Sequence, residues 1–124
     1  MEDKIGYKQN KRETQSNHWD FPKTPAKNPD HYCNMMMSYR KLYGKPKNTF
    51  IHEPVDYIKY VCQGGGKPIG GNWFESIGFY HTTQCILKYP HRHYIGIKKF
   101  KKIILLCKFG FPGGLPVHFA ESQT

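Results

Sequence analysis

Two imidazoles and one ammonium group are enough to move a phosphoryl group, and this chain carries all three inside short, distinctive segments. His18 lies in Asn17-His18-Trp19-Asp20, Lys45 opens the run Lys45-Pro46-Lys47-Asn48-Thr49-Phe50-Ile51-His52-Glu53, and His118 lies in Leu115-Pro116-Val117-His118-Phe119. Histidine titrates near neutral pH without help, so a pair can divide a proton relay between a base and an acid. A lysine beside them can stabilise the charge that builds on a phosphoryl group in transfer. The segments sit near the start, in the middle and near the end of 124 residues. Their chemistry therefore demands a fold that draws both ends of the chain together.

The run Cys33-Asn34-Met35-Met36-Met37 adds a further distinctive segment. In this order, the segments resemble the pancreatic ribonuclease family, the vertebrate secreted ribonucleases that include angiogenins. The likeness runs from about Thr14 to Ser122. The stretches His18-Trp19-Asp20-Phe21-Pro22-Lys23-Thr24 and Gly113-Gly114-Leu115-Pro116-Val117-His118 look most like the bird and reptile members, the angiogenin-like branch. The resemblance implies that RNA supplies its own nucleophile, the 2′-hydroxyl. His18 would act as base and His118 as acid in the cyclising step, and the two would exchange roles when the 2′,3′-cyclic phosphate is hydrolysed. Lys45 would donate to the non-bridging oxygens. Asn17 and Asn48 would belong to the substrate site. Thr49 would offer its backbone N–H and hydroxyl to a pyrimidine edge, and Phe119 would pack against that base.

Departures from the family pattern imply slow turnover. Asn17 stands where a glutamine is usual, and Ala120 replaces the aspartate that orients the last histidine in pancreatic enzymes. Losing such a partner removes control of the tautomer. Gly44 replaces the cysteine before the catalytic lysine, so Lys45 is expected to be less fixed. The other histidines carry less. His52 reads as structural, and His31 and His81 as ordinary surface or core residues. His91 and His93 form a His-x-His pair with no third ligand close by, so a basic loop is the better reading than a metal site. No metal or cofactor is expected.

Nineteen Lys and Arg against nine Asp and Glu give a net charge of +10 on a chain of single-domain length. A folded surface that basic attracts polyanions, nucleic acid above all. No apolar stretch is long enough to cross a bilayer, and no signal peptide is visible at Met1. The four cysteines are spaced too widely for a zinc knuckle, and spacing alone allows three pairings. The resemblance implies Cys33 with Cys85 and Cys62 with Cys107. It also shows a third bridge lost at both ends, at Gly44 and Arg92. Each remaining bridge closes a loop worth roughly 4 kcal/mol in the chain-entropy model. Lower heat stability than in four-bridge relatives is expected, as is an extracellular location.

Residues 1–10 are polar and aperiodic and read as a loose segment preceding a single domain, 11–124. Helices are expected at 11–18, 31–43 and 53–62. Strands are expected at 49–52, 74–85, 86–89, 94–97, 103–107 and 117–119. Alternation places His118 on the face opposite Val117 and Phe119. Gly64-Gly65-Gly66-Lys67-Pro68 reads as a flexible surface loop. Lys98-Lys99-Phe100-Lys101-Lys102 reads as a hairpin tip that provides phosphate subsites. The fold class is α+β, ribonuclease A-like, with a bent antiparallel sheet and three helices around a cleft. The expected function is a secreted, pyrimidine-preferring endoribonuclease of low activity, a monomer acting on single-stranded RNA. The competing reading is a cationic host-defence or angiogenin-like factor acting mainly on anionic membranes or cell-surface receptors. Ribonuclease inhibitor is a further partner to consider.

Overall fold

The computed structural model describes residues 2–3, 17–111 and 113–121. Its elements are β1 (Glu2–Asp3), α1 (Pro29–Tyr39), β2 (Lys47–Ile51), α2 (Val55–Tyr60), β3 (Gly66–Gly70), β4 (Trp73–Ser76), β5 (Tyr80–Lys88), β6 (His93–Lys101), β7 (Ile104–Lys108) and β8 (Leu115–Ala120). The strands form two antiparallel sheets instead of one bent sheet. One has the order β1-β8-β7-β4-β3 and the other β2-β5-β6. Among the described residues, α1 and α2 are the complete helices. The third expected helix lies outside them except for Asn17 and His18, which are helical. Within the segment expected to be loose, Glu2 and Asp3 pair with Ala120 and Phe119.

Helix α1 starts two residues earlier than the periodicity suggests, because Asn28 caps it. The Asn28 side chain accepts from the His31 N–H at 2.8 Å, and Pro29 occupies the first turn, where its missing N–H costs nothing. The helix also stops early, at Tyr39. Arg40 caps it, and Lys41 takes a left-handed φ of 60° that turns the chain away. The buried face is Tyr32, Cys33, Met36 and Met37, so Tyr39 and Leu42 do not belong to it. These residues form one core cluster with Phe50, Cys85, Leu87 and Tyr94. A second cluster joins Ile51, Ile58, Val61, Tyr80, Ile103, Leu105 and Phe119. The expected disulfides, Cys33–Cys85 and Cys62–Cys107, are both present.

Close approach of α1 to the second sheet depends on Gly96. A Cβ there would lie 2.2 Å from the Pro29 carbonyl oxygen and 2.9 Å from Cys33 Sγ. Its N–H donates to Asp30 Oδ1 at 2.8 Å. Gly96 pairs directly with Cys85.

Several strand boundaries differ from expectation for physical reasons. The apolar run 74–85 is broken by Ile77-Gly78-Phe79, so its second half belongs to β5. The glycine-rich loop runs into a strand, since β3 pairs with β4 and carries Pro68 at a sheet edge that tolerates a missing donor. The basic run is no hairpin tip. Lys98, Lys99, Phe100 and Lys101 lie in β6 opposite Thr83, Thr82, His81 and Tyr80. The true tip is residues 89–92, where Arg92 adopts a φ of 53°.

Candidate active site

Strand β2 is the platform on which the site assembles. Its residues Asn48, Thr49, Phe50 and Ile51 are all buried, and the His18 segment docks along it. Trp19 pairs with Ile51, and the Asp20 N–H donates to the Ile51 carbonyl at 3.1 Å. The Trp19 indole donates to the Glu53 carbonyl at 2.8 Å, and the Arg40 guanidinium donates to the Trp19 carbonyl at 3.0 Å. His18 Nδ1 lies 2.8 Å from the Thr49 carbonyl oxygen. A carbonyl only accepts, so Nδ1 carries a proton and, in the neutral ring, Nε2 is the nitrogen with the lone pair. The imidazole is thereby held in the tautomer that a general base requires.

Asn48 ties this histidine to Lys45. The Lys45 ammonium donates to Asn48 Oδ1 at 2.8 Å, while Asn48 Nδ2 donates to the Asn17 carbonyl at 2.8 Å. One buried amide thus spans the lysine and the turn that carries His18. Strand β8 supplies the rest. The His18 ring stands 4.8 Å from the Phe119 ring, centroid to centroid, and Phe119 is the immediate neighbour of His118. The β7–β8 register shifts at this point, with Cys107 opposite Pro116 and Leu106 opposite His118. Val117 is therefore an extra residue, and strict alternation fails. Pro116 and Phe119 are buried while Val117 and His118 are half-buried. A bulge of this kind re-aims a side chain, here the imidazole of His118. Among the described residues, His118 Nδ1 is buried without a hydrogen-bond partner. That agrees with the replacement of an orienting carboxylate by Ala120.

The pocket expected to take a base is closed. Thr49 N–H donates to Glu121 Oε1 at 3.1 Å, and the Thr49 hydroxyl donates to Glu121 Oε2. The carboxylate thus takes up both groups expected to read a pyrimidine. His18, Thr49 and Phe119 are each only 1% exposed, so Phe119 is core as well as wall.

A model of the family described as pancreatic ribonuclease matches residues 9–120. The chain belongs to the pancreatic ribonuclease family. Relatives include a ribonuclease of Chelonia mydas, 36% identical over 82% of this chain and 88% of the relative. A pancreatic ribonuclease of Balaenoptera acutorostrata is 39% identical over 87% and 93%. Angiogenin-3 of Mus musculus is 38% identical over 73% and 64%. The crystal structure of green turtle egg white ribonuclease superimposes with a TM-score of 0.81 at 32% identity, covering 93% of this chain and 99% of that one. The turtle proteins accord with the reptile-like segments read in the sequence.

Within this ribonuclease, sequence reading missed three supporting residues. Glu121 lies two positions beyond Phe119, the spacing that puts side chains on one face of a strand, and that was the available signal. Asp20 is buried and accepts from the Tyr32 hydroxyl at 2.5 Å and from the Thr24 N–H and hydroxyl at 3.0 and 2.9 Å. Burial and this bond push the Tyr32 phenol far above its ordinary range. Tyr94 accepts from the Gly44 N–H at 3.0 Å and donates to the Lys45 carbonyl at 2.7 Å. Nothing local announces a contact that spans 50 residues. His52 is buried with both nitrogens engaged, Nδ1 near the Asp20 carbonyl and Nε2 near the Thr83 hydroxyl. His81 meets Glu53 at 2.9 Å on the surface. The His91 and His93 rings lie 6.4 Å apart.

Proposed function

We propose that the chain is a secreted endoribonuclease that cleaves single-stranded RNA on the 3′ side of pyrimidines, slowly, by way of a 2′,3′-cyclic phosphate. His18 Nε2 takes the 2′-hydroxyl proton. His118 protonates the departing 5′-oxygen. Lys45 stabilises the non-bridging oxygens, and Asn17 and Asn48 flank the phosphate. In the second step the imidazoles exchange roles and water attacks the cyclic phosphate. The observation that carries this reading is the fixed His18 tautomer, pinned by the Thr49 carbonyl against Phe119.

Pyrimidine preference requires Glu121 to leave Thr49, and this closed pocket supports a low rate. Glu121→Ala should raise kcat/KM on a uridine–adenosine dinucleotide about tenfold, the equivalent of one or two hydrogen bonds no longer exchanged. An unchanged value would remove Glu121 from the account. His118→Ala should lower cleavage of the same substrate by about a hundredfold or more. Full activity in that variant would remove His118 from the mechanism. Testing it for bacterial killing separates the host-defence alternative, which predicts killing without cleavage.

A further inference from the structure

A second concavity lies away from His18, Lys45 and His118, between the segment after Asp20 and the β5–β6 hairpin. It is a cavity of about 490 Å³ lined by Phe21, Lys23, His52, His81, Thr82, Lys98, Lys99 and Phe100. The volume falls within the roughly 300–1,000 Å³ of small-molecule sites. We propose that this cavity binds a nucleotide, with the base against Phe21 and Phe100 and the phosphate between Lys23 and Lys98.

The lining has two parts. Phe21 and Phe100 are 42% and 59% exposed, although apolar rings of that size are normally covered. Phe100 is held upright by its neighbours, 4.4 Å from the His81 ring and 5.6 Å from Phe79. Glu53 fixes His81 in turn, accepting from its N–H at 2.9 Å. An aromatic face held in place by a rigid strand is a stacking platform, and every base offers a π-face to it. The other part is charge. Lys23, Lys98 and Lys99 all line the cavity, and none of the described residues lining it is acidic. The Lys23 ammonium is depressed from its ordinary value first by burial and then by repulsion from Lys98. Two cations held against each other beside an apolar wall favour a ligand that brings both negative charge and a flat ring. Lys99 is tied to Gln84 at 3.1 Å and shapes the floor. This site gives a ligand to the basic run in β6, whose lysines the sequence suggested as RNA-phosphate subsites outside the active site.

The test titrates adenosine 5′-monophosphate into the full chain and follows the NMR signals of His81, His52 and Thr82 beside those of His18 and His118. Saturable shifts at the first group are expected, with adenosine and inorganic phosphate each binding there about tenfold more weakly. Lys98→Glu and the pair Lys98→Glu with Phe100→Ala should abolish those shifts while the His18 and His118 response to inorganic phosphate persists, which also reports that the variants fold. A 2′-O-methyl oligoadenylate separates the sources. Stronger shifts from it than from the mononucleotide place the ligand within an RNA strand, and weaker ones place it among free nucleotides. The proposal is overturned if the cavity signals stay still while the active site saturates. It is equally overturned if they move as much with phosphate alone, or survive Lys98→Glu.

Discussion

The segment that delivers His18 and the segment that delivers Lys45 reach the same site by opposite means. Around His18 the anchoring is buried and polar. Asp20 gathers Tyr32, Thr24 and Arg40 around one carboxylate, and His52 docks on its carbonyl. Around Lys45 the anchoring is aromatic, with exposed Tyr43 and Tyr89 outside a buried Tyr94. Gly44 and Arg92 stand where the family resemblance implied a third bridge. The Tyr43 hydroxyl donates to the Arg92 carbonyl, and the Arg92 guanidinium lies 5.7 Å from the Tyr43 and Tyr89 ring centres. Tyr43 packs edge-on to Tyr94, which grips Gly44 and Lys45. The lysine is thus better held than the missing cysteine suggests, yet by contacts that water and heat can loosen. A buried network fails as a unit, whereas a surface clasp fails by degrees.

The contrast can be broken most forcefully at Asp20. Asp20→Ala strands a buried tyrosine hydroxyl and removes the centre of the network, and it should cost about 3 kcal/mol of stability in urea unfolding. A loss below about 1 kcal/mol would show that the segment is anchored elsewhere. On the other side, Tyr43→Ala should cost only about 1 kcal/mol, as expected for an exposed ring and its cation contact. Its larger effect should fall on kcat, severalfold and with KM nearly unchanged, because the ammonium acts on the transition state. Tyr43→Phe keeps the ring and should recover most of the rate. Equal losses in kcat for both variants would trace the effect to the hydroxyl alone.

The smallest effect is a pH dependence, and it belongs to the buried side. Burial lowers the His52 pKa below its ordinary value, with Asp20 and Glu53 opposing and Lys23 adding to the depression. Below about 6.5 the unfolded chain takes up a proton that the folded chain refuses, so acid favours unfolding. Stability should be fully present above that pH and decline as pH falls towards the folded pKa. Urea midpoints measured across this range check the sign, and His52→Gln should flatten the slope. The clasp around Lys45 should show no such trend.

What was legible in the sequence was whatever is local or motif-bound. Alternating and apolar runs located most strands, and the cysteine pattern gave both bridges through family likeness. The helix limits at Pro29 and Tyr39 were missed because a cap and a left-handed residue override periodicity. The site's closure was missed because Glu121 and Thr49 lie 72 residues apart, a distance over which only folding informs. The bulge at Val117 was invisible for the same reason, since it exists only relative to β7.

Gly96 sits across from Cys85 and beneath Cys33, and this makes a coupled requirement of what look like separate positions. Any side chain at 96 would meet the Pro29 carbonyl and Cys33 Sγ, so the start of α1 would have to move off the strand to admit it.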